Sequence, residues 1–161
     1  MTPLSFAVKA VAGAALALFL LVGLAYTQVI AESGAREVPW QDVTGRFGPV
    51  PWPRQQMHAV RSRGQLERVL RKATGRAAPK VPPIDFRRRT AVLAATGPRS
   101  SAGYDLYVVR VTERRDRVVV VLREWLLQPG SLAVAQLTYP YRLITISRTA
   151  KPLFFRLEGR P

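Results

Sequence analysis

The stretch SAGYDLYVVRVTERRDRVVVVLREW, residues 101–125, decides the fold. Two apolar runs rich in β-branched residues, 104–111 and 118–122, flank the charged connector Glu113, Arg114, Arg115, Asp116 and Arg117. Valine is stiff at χ1 and packs well on a pleated surface, so both runs favour strands, and a short polar connector lets consecutive strands pair antiparallel. The reading is a long hairpin at the centre of a sheet. In 118–122 both alternating sets are apolar, which predicts a strand covered on both faces. A helix on one side and a second sheet layer or curled edge on the other would supply the cover.

The flanking sequence fills in the rest. Ser62 and Gln65 fit a capping box, Leu66, Val69, Leu70 and Ala73 follow the i, i+3, i+4, i+7 stripe, and Gly75 can close the helix. Further strands are expected at 55–60, 90–95, 134–138, 142–147 and 153–157, separated by turn signals at Gly97-Pro98 and Pro129-Gly130. Pro79, Pro82 and Pro83 make a stiff connector between helix and sheet. The fold class read from this is α+β and β-rich: an antiparallel sheet built on a long hairpin, with one short amphipathic helix, over residues 56–161. An N-terminal transmembrane helix and an arm precede it.

Residues 10–31 carry no charge. As a helix rising about 1.5 Å per residue they span roughly 33 Å, enough for a hydrocarbon layer of about 30 Å. A secretory apolar core runs about 7–15 residues, so residues 1–31 read as an uncleaved anchor in preference to a cleaved signal. The expected location is the cell envelope: a single-pass cytoplasmic membrane protein with its domain outside, or a secreted one if the segment is cut. In the arm, 32–55, Pro39, Pro49, Pro51 and Pro53 stand among Trp40, Phe47 and Trp52, which suggests extended, polyproline-like chain. Trp40 and Trp52 either engage a partner or lie buried over the chain's own domain.

The formal charge is +15, from 25 basic and 10 acidic residues, and 21 of the basic ones are arginine. Such a surplus attracts polyanions, including anionic lipid or envelope polymer. Arg87, Arg88 and Arg89 beside Phe86 are partner-binding candidates, but strand neighbours alternate faces, which weakens them as one patch. No helix-turn-helix, zinc or phosphate-loop motif points to specific nucleic-acid binding.

With no cysteine, thiolate metal sites, a Cys nucleophile and a lipobox lipid are excluded. His58 is the only histidine, and the carboxylates lack metal spacing, so no catalytic, cofactor or metal residue is assigned. Ser100 or Ser101 with Lys80 or Lys151 is the formal Ser-Lys alternative.

From Asp85 onward the order of residues resembles a known family. Asp85-Phe86 precede the first strand and Gly97 follows it; then come Ala102-Gly103-Tyr104, the hairpin, Glu124, Pro129-Gly130, Gln136, Thr138 and Pro140-Tyr141. This order is similar to the C-terminal domain of PrcB-type subunits of bacterial protease complexes, the dentilisin-complex accessory family, over less than half the chain. The resemblance implies an envelope-associated, non-catalytic module that supports a separate protease, with the matched residues structural. Ala102 stands where the family commonly has glycine, at a position that can require positive φ. The expected function is therefore an anchored interaction module docking a protein partner, a protease among the candidates. The alternative is a basic domain that binds an anionic polymer or lipid surface.

Overall fold

Val, Ile and Leu dominate the segments that form long strands, and prolines fall between them. The strands are β1 (Arg36–Glu37), β2 (Trp40–Asp42), β3 (Gln56–Val60), β4 (Arg89–Ala95), β5 (Tyr104–Glu113), β6 (Val118–Leu126), β7 (Tyr141–Ser147) and β8 (Leu153–Glu158), with one helix, α1 (Arg63–Thr74). The computed structural model describes residues 34–46, 48–75, 81, 83–126 and 134–159. The chain divides into two compact units, Met1–Ala35 and Arg36–Pro161, and every strand lies in the second. No helix among the described residues is long and apolar enough to cross a membrane. The expected spanning stretch, 10–31, lies outside them, as do Phe47, Pro79, Lys80, Pro82, Pro129 and Gly130.

The hairpin forms as expected. β5 and β6 pair antiparallel from Tyr104↔Leu126 to Glu113↔Val118 and occupy the centre of a first sheet ordered β1-β5-β6-β8. Arg114 N donates to Arg117 O at 2.8 Å and closes the turn. The single antiparallel sheet expected from the sequence is corrected to two sheets, the first of them mixed. β8 lies parallel to β6 because residues 148–152 carry the chain across to the hairpin tip, where Val118 N bonds Pro152 O at 2.9 Å. It then runs in the direction of β6. The second sheet, β2-β7-β4-β3, is antiparallel throughout.

Alternation along β4 explains the layering. Val92 and Ala94, with Ile144 and Ile146, face Leu106, Val111, Val118, Val120 and Leu122 of the first sheet. Ala91 and Leu93, with Leu143, face Leu66, Leu70 and Ala73 of α1 and Trp52. The strand covered on both sides by whole layers is therefore β4, in the second sheet. β6 has a layer on one face only, which corrects the expectation for 118–122.

α1 is capped as its sequence predicts: Ser62 Oγ accepts from Gln65 N at 3.2 Å, and Gly75, at φ 65°, donates its N–H to Arg71 O. The Gln65 side chain reaches back to Arg61 N at 2.9 Å. Residues 36–54 do not run as a free polyproline arm. β1 pairs with the end of β5, β2 pairs with β7, and Pro39 falls between the two where no ladder bond is needed. Burial of Val38, Val43 and Val50 ties this segment down. The strand expected at 134–138 is reduced to one bridge, Arg99↔Thr138. Val134 and Leu137 remain exposed.

Candidate interaction surface

The outer face of the first sheet has no layer over it among the described residues. Its parity is fixed by the inward residues Leu106, Val120 and Leu122, so Tyr107, Trp125 and Phe154 point outward. They are 46 %, 46 % and 50 % exposed. Tyr107 lies opposite Arg123 and Trp125 opposite Asp105, which makes the two aromatics diagonal neighbours across the ladder. Arg142 lies over the Tyr107 ring at 5.3 Å and bonds Asp105 at 2.8 Å. Arg117 lies over Phe154 at 5.0 Å.

Between these aromatics lies a guanidinium cluster. Arg110, Arg123 and Arg156 converge on Glu158 at 3.8, 3.6 and 3.7 Å. Arg110 and Arg156 are the cross-strand neighbours of Val121, one on each side. Their aliphatic stems hold Val121 to 2 % exposure on a face with no second layer. Arginine stems thus replace the sheet or helix that the apolar run seemed to demand. β1 reaches only the last residues of β5, so among the described residues the edge from 104 to 110 has no strand beside it, and a bulge between Val108 and Arg110 interrupts it. Bulges shield an edge from indiscriminate pairing.

The residues singled out from the sequence disperse. Trp52 is 0 % exposed, packs 5.9 Å from the Tyr141 ring and offers a partner no surface. Trp40, 38 % exposed, stands on the edge strand β2. Asp85 makes a turn: its Oδ1 accepts from Arg87 N at 2.9 Å and its carbonyl from Arg89 N at 2.8 Å. Arg87 and Arg88 therefore sit in a turn instead of a strand, Arg89 opens β4, and all three are exposed. Phe86 packs on the helix-side core. Gly97 is buried at φ 83°. Neither Ala102 nor Gly103 has positive φ, so the glycine that the family commonly has at 102 is not required here by backbone conformation. Gly103 and Pro140 are buried and Tyr104 is half-buried. Trp125, Tyr107 and Phe154 were not picked out, because which alternating set faces outward depends on the second sheet.

A clasp closes the end of the sheets away from the hairpin tip. Arg99 meets Glu124 through two bonds, Nε–Oε1 at 2.5 Å and Nη2–Oε2 at 3.0 Å, and also donates to the carbonyls of Thr96 and Pro98. The Glu124 side chain is almost fully buried. The bond to Glu124 raises the Arg99 pKa further above its ordinary value.

Among the described residues the candidates form no catalytic grouping, and Lys80 lies outside them. His58 Nε2 lies 3.0 Å from Gln56 Oε1, and burial, with the nearby Lys72 charge, lowers its pKa and favours neutral imidazole. It lines a groove of about 500 Å³ between β3 and α1 with Arg54, Arg68 and Lys72, where no carboxylate intrudes. Lys151 Nζ is held by Glu113 Oε1 and Arg114 O, both at 2.9 Å, and this bond lowers the Glu113 carboxyl pKa. Ser101 lies beyond the other end of β5, roughly 30 Å away at about 3.3 Å per strand residue. The Ser101–Lys151 pairing is thus geometrically ruled out.

Two facing four-stranded sheets, backed by a helix and showing an aromatic and arginine face, define a β-rich domain. The family model described as PrcB C-terminal matches residues 90–147, from β4 through β7, which supports a PrcB C-terminal domain over those strands, in line with the resemblance. That match suggests an accessory domain associated with protease complexes. No curated protein and no solved structure gives a significant match.

Proposed function

We propose that this protein is a non-catalytic docking subunit of an envelope protease complex, tethered to the cytoplasmic membrane by residues 10–31 with its domain on the outer side. The observation that carries the docking surface is the exposure of Tyr107, Trp125 and Phe154 together on one uncovered sheet face. Large aromatics left in water are costly unless a partner buries them, and such residues dominate interface energetics. The Arg110, Arg123, Arg156 and Glu158 cluster between the aromatics would select an acidic counterpart. The short open edge at 104–110 leaves room for limited strand addition beside it.

The experiment is photocrosslinking in intact cells from positions 107 and 125, compared with position 71 on the solvent side of α1. Discrete protein adducts from 107 and 125 alone are expected, with a protease or protease-bound subunit among them. The double substitution Tyr107→Ser, Trp125→Ser is expected to weaken capture at least about 30-fold, as loss of a central aromatic anchor does. Equal crosslinking from all three positions, or an unchanged complex in the double variant, overturns the reading.

A further inference from the structure

The ladders bring a set of arginines to one end of the domain. Arg36↔Glu113 and Val118↔Leu153 place the start of β1, the hairpin tip and the start of β8 together. Arg89↔Ser147 and Trp40↔Ile146 mark the matching end of the second sheet. Segment 148–152 joins the two: Arg148 N bonds Arg88 O at 2.8 Å and Arg61 Nη2 bonds Lys151 O at 2.8 Å. Arg36, Arg115 and Arg117 therefore share this end with Arg87, Arg88 and Arg148.

Their charges are poorly compensated. Glu113 serves both Arg36 and Lys151, Asp116 serves Arg117, and Asp85 lies 3.9 Å from Arg88. Arg87, Arg89, Arg115 and Arg148 have no carboxylate partner among the described residues. At the far end Arg99, Arg123 and Arg142 each meet a carboxylate, with Arg46 and Arg54 the exceptions. Half-exposed Trp40 lies at this end too, opposite Ile146 on the edge of the second sheet.

We infer that this end binds anionic phospholipid headgroups. The chain itself says which partner is near: Arg36 begins β1 here, and only residues 32–35 separate it from the end of the uncharged stretch 10–31. Four extended residues reach at most about 14 Å. A bilayer that held 10–31 would be tethered to Arg36 by that short length, and the planar forks of the arginines at this end suit phosphate oxygens. Trp40 would sit at headgroup depth, where indole rings concentrate. Binding here leaves Tyr107 and Trp125, toward the other end of the first sheet's outer face, free for the protein partner. The inference uses the anchor reading to place the bilayer, whereas the headgroup binding is testable without it.

The chain has no cysteine, so single-cysteine labelling of the full protein is clean. A nitroxide at Ala150→Cys reports the basic end, and one at Leu137→Cys reports the opposite end. The protein is placed in nanodiscs of phosphatidylcholine with or without phosphatidylglycerol. Phosphatidylglycerol is expected to shield the label at 150 from an aqueous paramagnet and leave 137 unchanged. The shielding should vanish between about 0.1 M and 1 M salt, as the Debye length falls from about 10 Å to 3 Å. Arg87→Glu with Arg115→Glu should abolish it. The milder Arg87→Gln and Arg115→Gln should each weaken binding about fivefold, and all variants should keep the wild-type circular dichroism. Equal accessibility at 150 in both lipids overturns the inference.

Failure to enter phosphatidylcholine discs would count against the span of 10–31 alone. Flotation of the same full chain with phosphatidylglycerol vesicles then decides the matter: salt-sensitive flotation supports headgroup binding, and none overturns it. Salt-sensitive binding to soluble polyphosphate without any response to phosphatidylglycerol overturns it in favour of a polymer.

Discussion

Gly97 and Tyr141 show how single residues hold the two ends of the chain's path together. Gly97 adopts φ 83°, and a Cβ there would lie 3.0 Å from Arg54 C and Gln55 N, both backbone atoms. Left-handed backbone costs an L-residue about 1–2 kcal/mol and overpacking about 1–3 kcal/mol more. Gly97→Ala is thus expected to destabilise by roughly 2–5 kcal/mol, read as a lower urea midpoint. Tyr141 donates its hydroxyl to Gly48 O at 2.6 Å and is buried, which pushes its pKa up to about 12. The unfolded phenol titrates near 10. Its contribution is therefore complete below pH ~10 and is lost as pH rises through about 12, because the unfolded chain releases the proton first. Tyr141→Phe should cost about 1 kcal/mol at pH ~8 and remove this part of the alkaline loss. Urea titrations of both proteins at pH ~8 and ~11 test it, and a constant difference between them would refute the assignment.

Among the elements, the Arg99–Glu124 clasp joins the loop after β4 to the end of β6. Arg99→Met leaves a buried carboxylate unpaired and should cost about 3–5 kcal/mol. Glu124→Gln should cost less, because Arg99 is a quarter exposed and keeps the Thr96 and Pro98 carbonyls. A larger loss for Glu124→Gln than for Arg99→Met in equilibrium denaturation would reverse that assignment. The elements differ in how far the sequence reveals them. β5, β6 and α1 were legible because alternation, capping and length agree within each segment. β1 and β2 were not, since two- and three-residue strands beside Pro39 have no period to read. The parallel course of β8 was equally hidden, because period-two alternation is the same in either direction. The outward aromatics could be read only after the second sheet fixed which face of β6 is inner. The valine run misled because Arg110 and Arg156 shield Val121, and arginine counts as polar in any pattern although its stem is not.

At the scale of the whole molecule, the surplus of +15 is distributed unevenly, and that has a consequence for stability. Like charges held together in the folded state repel, and folding increases their proximity. Arg87, Arg88 and Arg148 meet in one corner because Arg148 N is bonded to Arg88 O, and only Asp85, 3.9 Å from Arg88, offsets them. If these residues served the fold, replacing them would weaken it. If they serve an external anion, the folded state bears a repulsion that only the ligand relieves. Arg87→Glu with Arg115→Glu, the variant expected to lose response to phosphatidylglycerol, should therefore be slightly more stable than the parent in neutral detergent. The expected gain is about 0.5–1 kcal/mol at low salt. It should fade toward zero at about 1 M salt, where the Debye length is about 3 Å. Denaturant midpoints at the two salt concentrations measure it directly. A variant less stable at both would assign the arginines to the fold. The predicted opposition between stability and binding is the mark of charge kept for a partner.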